Sequence, residues 1–308
     1  MQFNAQIEDD YTIYHKQVIQ AETLIAEAQY QEAYAIYEDL FQEYDFIFLR
    51  EYQVASQLAL QLNEKEKAKE LVKRGVLGGW KLKSIKKNTH LAPLWTKPEW
   101  KDFKKTYTIL YAQYEDQLNS ELKGQVKKMF AKDQRKALLV LFRISSKAQD
   151  RYAEKKFAQH SIQQMQQLNT ILDKYGYPGE RLIGPNYWTS TILSHHNSIS
   201  QTFNQLDPYY PAMKSQLQQA LFTGYVAPAE LALIDEWHRI VKQQDNQAQY
   251  GLIKEAQAKD LEHINQLRAA IYLRSTELRN QLLDVEQKTG MNFYLPKGWI
   301  DGKIAENN

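Results

Sequence analysis

The chain has 308 residues, no cysteine, and a formal net charge of +2 from 39 basic and 37 acidic side chains. That balance gives no reason to expect nucleic acid or an anionic membrane as the main partner. The absence of cysteine excludes disulfides, zinc–thiolate sites and thiol nucleophiles. Hydrophobic residues make up 43%, against 12 glycines and 8 prolines. With Gln, Glu, Lys, Leu and Ala abundant, this composition predicts an all-α chain with real cores and about two domains. No apolar run reaches the roughly 20 residues needed to cross a bilayer, so no membrane insertion is expected. As it stands the chain reads as cytoplasmic. Phe3-Asn4-Ala5-Gln6 is similar to the end of a signal peptide cut after Ala5, which makes a periplasmic or exported protein the alternative.

In chain order, the first helix is expected to begin near Asp9-Asp10, residues that suit an N-cap and first turn. Val18, Ala21, Leu24, Ile25 and Ala28 then share one face. The pattern breaks at Gln29-Tyr30-Gln31 and restarts with Ala33, Ile36, Tyr37, Leu40 and Phe41. A second pair of stripes follows: Val54, Ala55, Leu58, Ala59 and Leu62, then Ala68, Leu71, Val72, Gly75 and Val76. Asn63-Glu64 is the turn between them. The pairs repeat at about 34–35 residues, the tetratricopeptide period. Ala21, Tyr30, Ala33 and Tyr37 match the small, aromatic, small, aromatic positions of that repeat; Ser56, Ala68 and Val72 match in the second unit. Residues 15–80 therefore resemble tetratricopeptide repeats. The resemblance implies helix pairs whose concave face holds a peptide or partner helix.

Gly78-Gly79-Trp80 and a basic stretch to Pro98 follow. Trp95 and Trp100 read as packing aromatics rather than a ligand cage. The four lysines between Lys81 and Lys87 form a solvated face or, alternatively, a surface for an acidic partner. Two repeats need cover on their open apolar face. A helix from Trp100 to Leu122 carrying Phe103, Tyr107, Leu110, Tyr111 and Tyr114 is expected to supply it. The division that results is a repeat domain over 1–122 and a helical domain over 123–308.

In the second domain, helices are expected over 126–144, 150–175, 187–203, 211–223, 228–243 and, as one long element, 254–289. Gly224 suits a C′ position and Pro228 an N1 position. Asp133-Gln134, Gly176-Tyr177-Pro178-Gly179 with Gly184, His195-His196, Ala229-Glu230-Leu231-Ala232 with Asp235, and Tyr250-Gly251 occur in that order. The set, over residues 125–280, resembles an uncharacterised bacterial domain family. Tyr177, His195, Glu236 and Ala137 depart from its usual residues, and the family supplies no reaction.

The spacing itself points to a polar cluster. His196 shares a face with Ile192, Ile199 and Phe203, so it points inward, while His195 lies about 100° away. Asp235 and His238 are close enough on one helix to pair. Arg274 sits in the seam Ile264, Leu267, Ile271, Leu278, Leu282 and Val285, and a buried arginine needs a carboxylate. Asp133 and Asp235 are the candidates. The expected site is thus Asp133, His196, Asp235, His238 and Arg274, with Tyr250, Tyr177 and Gly179 as further binding residues. It reads as a structural network, or as a binding or catalytic pocket in which a His–Asp pair acts as general base. No metal site is expected, since paired Glu-x-x-His motifs are missing. The phosphate loop, dinucleotide fingerprint, Gly-x-Ser-x-Gly elbow and His-Glu-x-x-His are missing too, so no cofactor is expected. Three functions remain open: an interaction protein working through its repeats, an enzyme, or a structural or ligand-binding helical protein. The segment from Phe293 to Ile300 is apolar enough to dock on the body or on another subunit.

Overall fold

A computed structural model describes residues 10–141, 152–243, 247–296 and 302–305. Its fifteen α-helices carry the architecture, and no strand occurs among the described residues. No described helix is long and apolar enough to cross a membrane. Phe3-Asn4-Ala5-Gln6 lies outside the described residues.

The first four helices form two antiparallel pairs. Helix α1 (Tyr11–Ala26) packs on α2 (Tyr30–Glu43), and α3 (Leu49–Gln61) on α4 (Lys65–Leu77). Asp10 caps α1 by accepting from the Thr12 N–H. The two turns share one geometry. Ala28 and Asn63 are both left-handed, at φ 59° and 64°. Ala21, Ala33, Tyr37 and Ala68 are fully buried in this array. Close approach of small residues and an aromatic filler explain the pairing.

A short helix, α5 (Leu82–Lys87), leads to α6 (Lys97–Gln117), which Thr96 and Glu99 open with a reciprocal capping box. Trp95, Trp100 and Phe103 stack with ring centroids 5.0 to 5.4 Å apart against the array. The expected helix to Leu122 ends at Gln117 instead. Asn119 starts a new one by accepting from the Leu122 N–H, and α7 runs from Ser120 to Leu141.

The remaining helices are α8 (Ala158–Tyr175), α9 (Glu180–Ile183), α10 (Trp188–Asn197), α11 (Gln201–Leu206), α12 (Tyr209–Phe222), α13 (Pro228–Gln243), α14 (Leu261–Ala270) and α15 (Thr276–Thr289). Helix α10 is central, packed on α7, α8 and α13. It stops at Asn197 because Ser200 caps the next helix by accepting from the Phe203 N–H. The long element expected over 254–289 is two helices. Tyr272 turns left-handed at φ 56°, and Ser275 accepts from the Leu278 N–H to start α15.

That break redirects the chain. Helix α15 packs on α1, and Leu278, Leu282, Met291, Phe293 and Leu295 belong to the core of the N-terminal array. A second core joins Val126, Met165, Leu168, Ile192, Leu193, Leu217 and Ile234 from α7, α8, α10, α12 and α13. The chain beyond residue 122 thus builds this second core and then returns its last described helix to the first.

Candidate functional site

The residues picked out by sequence fall into separate polar groups. Asp133 is fully buried on α7, and its Oδ2 lies 2.5 Å from His195 Nδ1. The His195 side chain keeps 30% exposure, so the histidine expected to turn away is the one that takes this carboxylate. The one-residue offset along α10 sets it on the α7 side, within 6.2 Å of the Phe157 ring.

His196 does point inward and is fully buried, with partners the sequence reading missed. Its Nδ1 is 2.8 Å from Ser161 Oγ on α8. Its Nε2 is 3.1 Å from Asp207 Oδ2, within ion-pair distance but without the alignment of a hydrogen bond. Asp207 also accepts from the Tyr209 and Tyr210 N–H groups as α12 begins. Burial pushes its carboxyl up, but His196 and these two amides hold it below its ordinary value. Ser, His and Asp here line up in the order of a hydrolase triad. Ser161 is 1% exposed, so no substrate atom reaches its Oγ, and the line ties α8, α10 and α12 together.

Asp235 on α13 is a second hub. It accepts from Tyr210 Oη at 3.0 Å, Tyr250 Oη at 3.1 Å and Lys214 Nζ at 2.9 Å, and pairs with Arg239. Burial raises its carboxyl, and Lys214 and Arg239 outweigh that, bringing it down to about 2. His238 does not share the hub's bonds. Its ring lies 4.6 Å from that of Tyr210, Nδ1 has no partner, and burial lowers it to about 4. Next to Asp235, Glu236 accepts from the N–H groups of Tyr250, Gly251, Leu252 and Ile253. One carboxylate thereby fixes the whole Tyr250-Gly251 loop.

Tyr177 donates to Glu230 Oε1 at 2.7 Å, and burial raises Glu230 to about 7. Gly179 owes its identity to packing. A Cβ there would stand 2.5 Å from Tyr225 O and 2.9 Å from the Tyr177 ring.

Arg274 corrects an expectation. It pairs with neither Asp133 nor Asp235 but with Glu22 on α1, through Nε–Oε2 at 2.6 Å and Nη2–Oε1 at 2.7 Å. The break between α14 and α15 carries it onto the helical array. Arg50 Nη2 adds a third bond to the same carboxylate at 2.5 Å. Glu22 stands one helical turn from Val18 and Ile25 in the apolar stripe of α1. A carboxylate inside such a stripe is the signal that would have found it.

Of the five expected cluster residues, His196, Asp235 and His238 are linked through Asp207 and Tyr210, Asp133 pairs with His195, and Arg274 lies apart on Glu22; the bundle groups act chiefly as ties between helices. The exposed edge of His195 is where an outside molecule could meet one of them. No group of three His, Asp or Glu side chains suited to a metal ion occurs among the described residues. No protein-family model, curated protein or solved structure matches the chain.

Proposed function

We propose that this chain is an interaction protein of the adaptor or scaffold kind, in which the face formed by α1 and α3 grips a peptide segment. The observation that supports the reading is the pairing of Gln57 with the main chain of Asn292. Its Nε2 donates to Asn292 O at 2.8 Å, and its Oε1 accepts from Asn292 N at 2.8 Å. Arg50 Nε donates to Phe293 O at 2.9 Å. Contacts of this kind read a backbone whatever its side chains, while the fully buried Phe293 ring supplies an apolar anchor. The tetratricopeptide resemblance of residues 15–80 belongs to the same proposal, because such arrays hold peptides on an inner face.

Here the chain's own residues 291–295 fill the face. A partner segment with an aromatic at the Phe293 position would replace them. The test weakens the internal segment by Phe293→Ala in the full chain and adds a labelled peptide with the sequence of residues 289–296. Saturable binding that disappears in the Phe293→Ala, Gln57→Ala double variant supports the reading. A Phe293→Ala chain that stays folded and does not bind the peptide removes its main support.

A second reading, ligand binding or acid–base chemistry in the C-terminal part, rests on the Asp133–His195 pair. A buried carboxylate that orients a partly exposed imidazole is the arrangement of a general base. The resemblance of residues 125–280 to the uncharacterised bacterial domain stays with this reading, and it brings no substrate. A screen in which Asp133→Asn leaves every detected activity unchanged would remove it.

A further inference from the structure

Where the helical array meets the bundle, a cavity of about 230 Å³ opens between the start of α3, the ends of α4 and α6, and α9. That is below the usual range of drug-sized ligand pockets and suits only a small molecule, and junctions between structural units are where such pockets gather. Tyr52, Leu77 and Leu118 give it apolar walls. Its charged groups are unequally satisfied. Arg181 is taken: it pairs with Asp45 at 2.5 Å, donates to Thr223 O at 3.1 Å, and lies against the rings of Tyr11, Phe46 and Tyr225. Arg74 is not. Its Nη2 reaches Phe41 O at 3.4 Å, and it rests on the Phe41 and Tyr52 rings. Among the described residues no carboxylate pairs with it.

Glu180 forms the opposite polar element. Its Oε1 accepts from the Leu49 N–H at 2.5 Å, which leaves its second oxygen for another partner. We propose that the cavity binds a small organic carboxylate with an apolar body, its carboxylate held by Arg74 and Glu180 and its body against Tyr52 and Leu118. A guanidinium and a protonated acid both donate to an anion, and a carboxylate has the acceptor sites to take both.

The electrostatics fit this ligand. Burial raises the Glu180 carboxyl to about 8, against the Leu49 N–H and with help from Glu51 on α3 and Glu230 on α13. The other titratable neighbours are Tyr14, Tyr114 and Tyr187, each raised, with Arg181 engaged by Asp45. At pH 6.5 Glu180 is therefore a neutral donor. Above pH 8 it becomes an anion and repels the ligand.

The test titrates the full chain with benzoate and isovalerate at pH 6.5, with benzyl alcohol as the uncharged control. It follows heat and the NMR signals of the Arg74 Nε–H and the Leu49 amide. The expected result is saturable binding that moves both signals, with benzyl alcohol at least tenfold weaker. Raising the pH to 9 should weaken benzoate about tenfold, the fraction of Glu180 still protonated. Glu180→Gln should abolish that pH dependence, and Arg74→Gln should weaken binding at least tenfold. The proposal is overturned if neither acid gives a saturable shift, if benzyl alcohol binds as well as benzoate, or if Arg74→Gln leaves the affinity unchanged.

Discussion

Glu22 and Arg274 stand 252 positions apart in the chain and meet in a two-bond ion pair, with the Glu22 carboxylate fully buried. Burial pushes this carboxyl up, but Arg274 and Arg50 more than offset it and hold it below its ordinary value. The pair joins α1 to the turn before α15, so it ties the two ends of the described chain together.

Glu22→Gln leaves Arg274 buried without its counter-charge and Arg50 with only Glu51, 3.6 Å away. Breaking such a pair from one side costs about 3–5 kcal/mol. Urea unfolding of the full chain should show a loss of that size. Adding Arg274→Met should recover part of it, because the second change removes one unpaired cation. A loss under about 1 kcal/mol would mean that the network has water or another anion to fall back on.

Three carboxyls along the junction behave in the opposite sense to Glu22. Burial is the first cause in each case: it raises Glu51 and Glu230 to about 7 and Glu180 to about 8, from 4.5. A carboxyl raised in the folded state is protonated there while the unfolded chain has already ionised. Its contribution is complete below about pH 4.5 and is lost as pH rises to between 7 and 8. Glu22, Asp207 and Asp235 are lowered, so theirs is present above the ordinary carboxyl range and lost in acid. His15 and His238, lowered by burial to about 4, lose stability as pH falls below about 6.5 and so oppose the three glutamates in that range. The fall in stability should therefore be steepest between about pH 6.5 and 8. Glu51→Gln with Glu180→Gln should flatten the alkaline side, raising Tm at pH 8 by roughly 3 °C or more. A flat profile from pH 5 to 8 in the parent chain would contradict this.

The Tyr114 hydroxyl nests against Gly184, where φ is +85° and a Cβ would stand 2.0 Å from it. Gly184→Ala should cost about 2–4 kcal/mol, from left-handed backbone strain and overpacking together. Combining it with Tyr114→Ala should return the overpacking share and leave the strain. Thermal unfolding of the single and double variants separates the two. An additive loss would show that the hydroxyl moves aside at little cost.

What could be read in advance follows the range of the interaction. Helices α1 to α4 and their turns were legible because the stripes at Ala21, Ala33, Ala55 and Ala68 and the turns before Tyr30 and Lys65 are local. Arg274 was legible as a buried cation in need of a carboxylate. Glu22 was marked only as a carboxylate inside the apolar stripe of α1, and nothing near Arg274 in sequence ties the two together. The apolar seam from Ile264 to Val285 concealed the break at Tyr272. Ser275 and Thr276 are weak helix formers and strong caps, and a cap inside an unbroken period is easily read through. In the bundle, residue types at Asp133, His196 and Asp235 marked buried polar groups correctly. Their partners Ser161, Tyr210 and Lys214 on other helices and Asp207 in the turn before α12 left no local trace.

Gln57 is the residue on which the peptide-gripping reading depends, and its bonds can be tested one amide at a time. The Asn292 N–H donates to Gln57 Oε1, and Asn292 O accepts from Gln57 Nε2. Gln57→Leu keeps the volume and removes both partners. Asn292 is exposed and both bonds are part-buried, so losing them costs about 0.5–1.5 kcal/mol each, and the loss is local because α15 still packs on α1. Hydrogen exchange at Asn292 should therefore speed up by roughly 10- to 100-fold, while amides in α10 keep their rates. If Asn292 exchanges as slowly as before, packing of Met291, Phe293 and Leu295 alone holds the segment. The α1/α3 face would then be an ordinary core surface rather than one that reads a backbone.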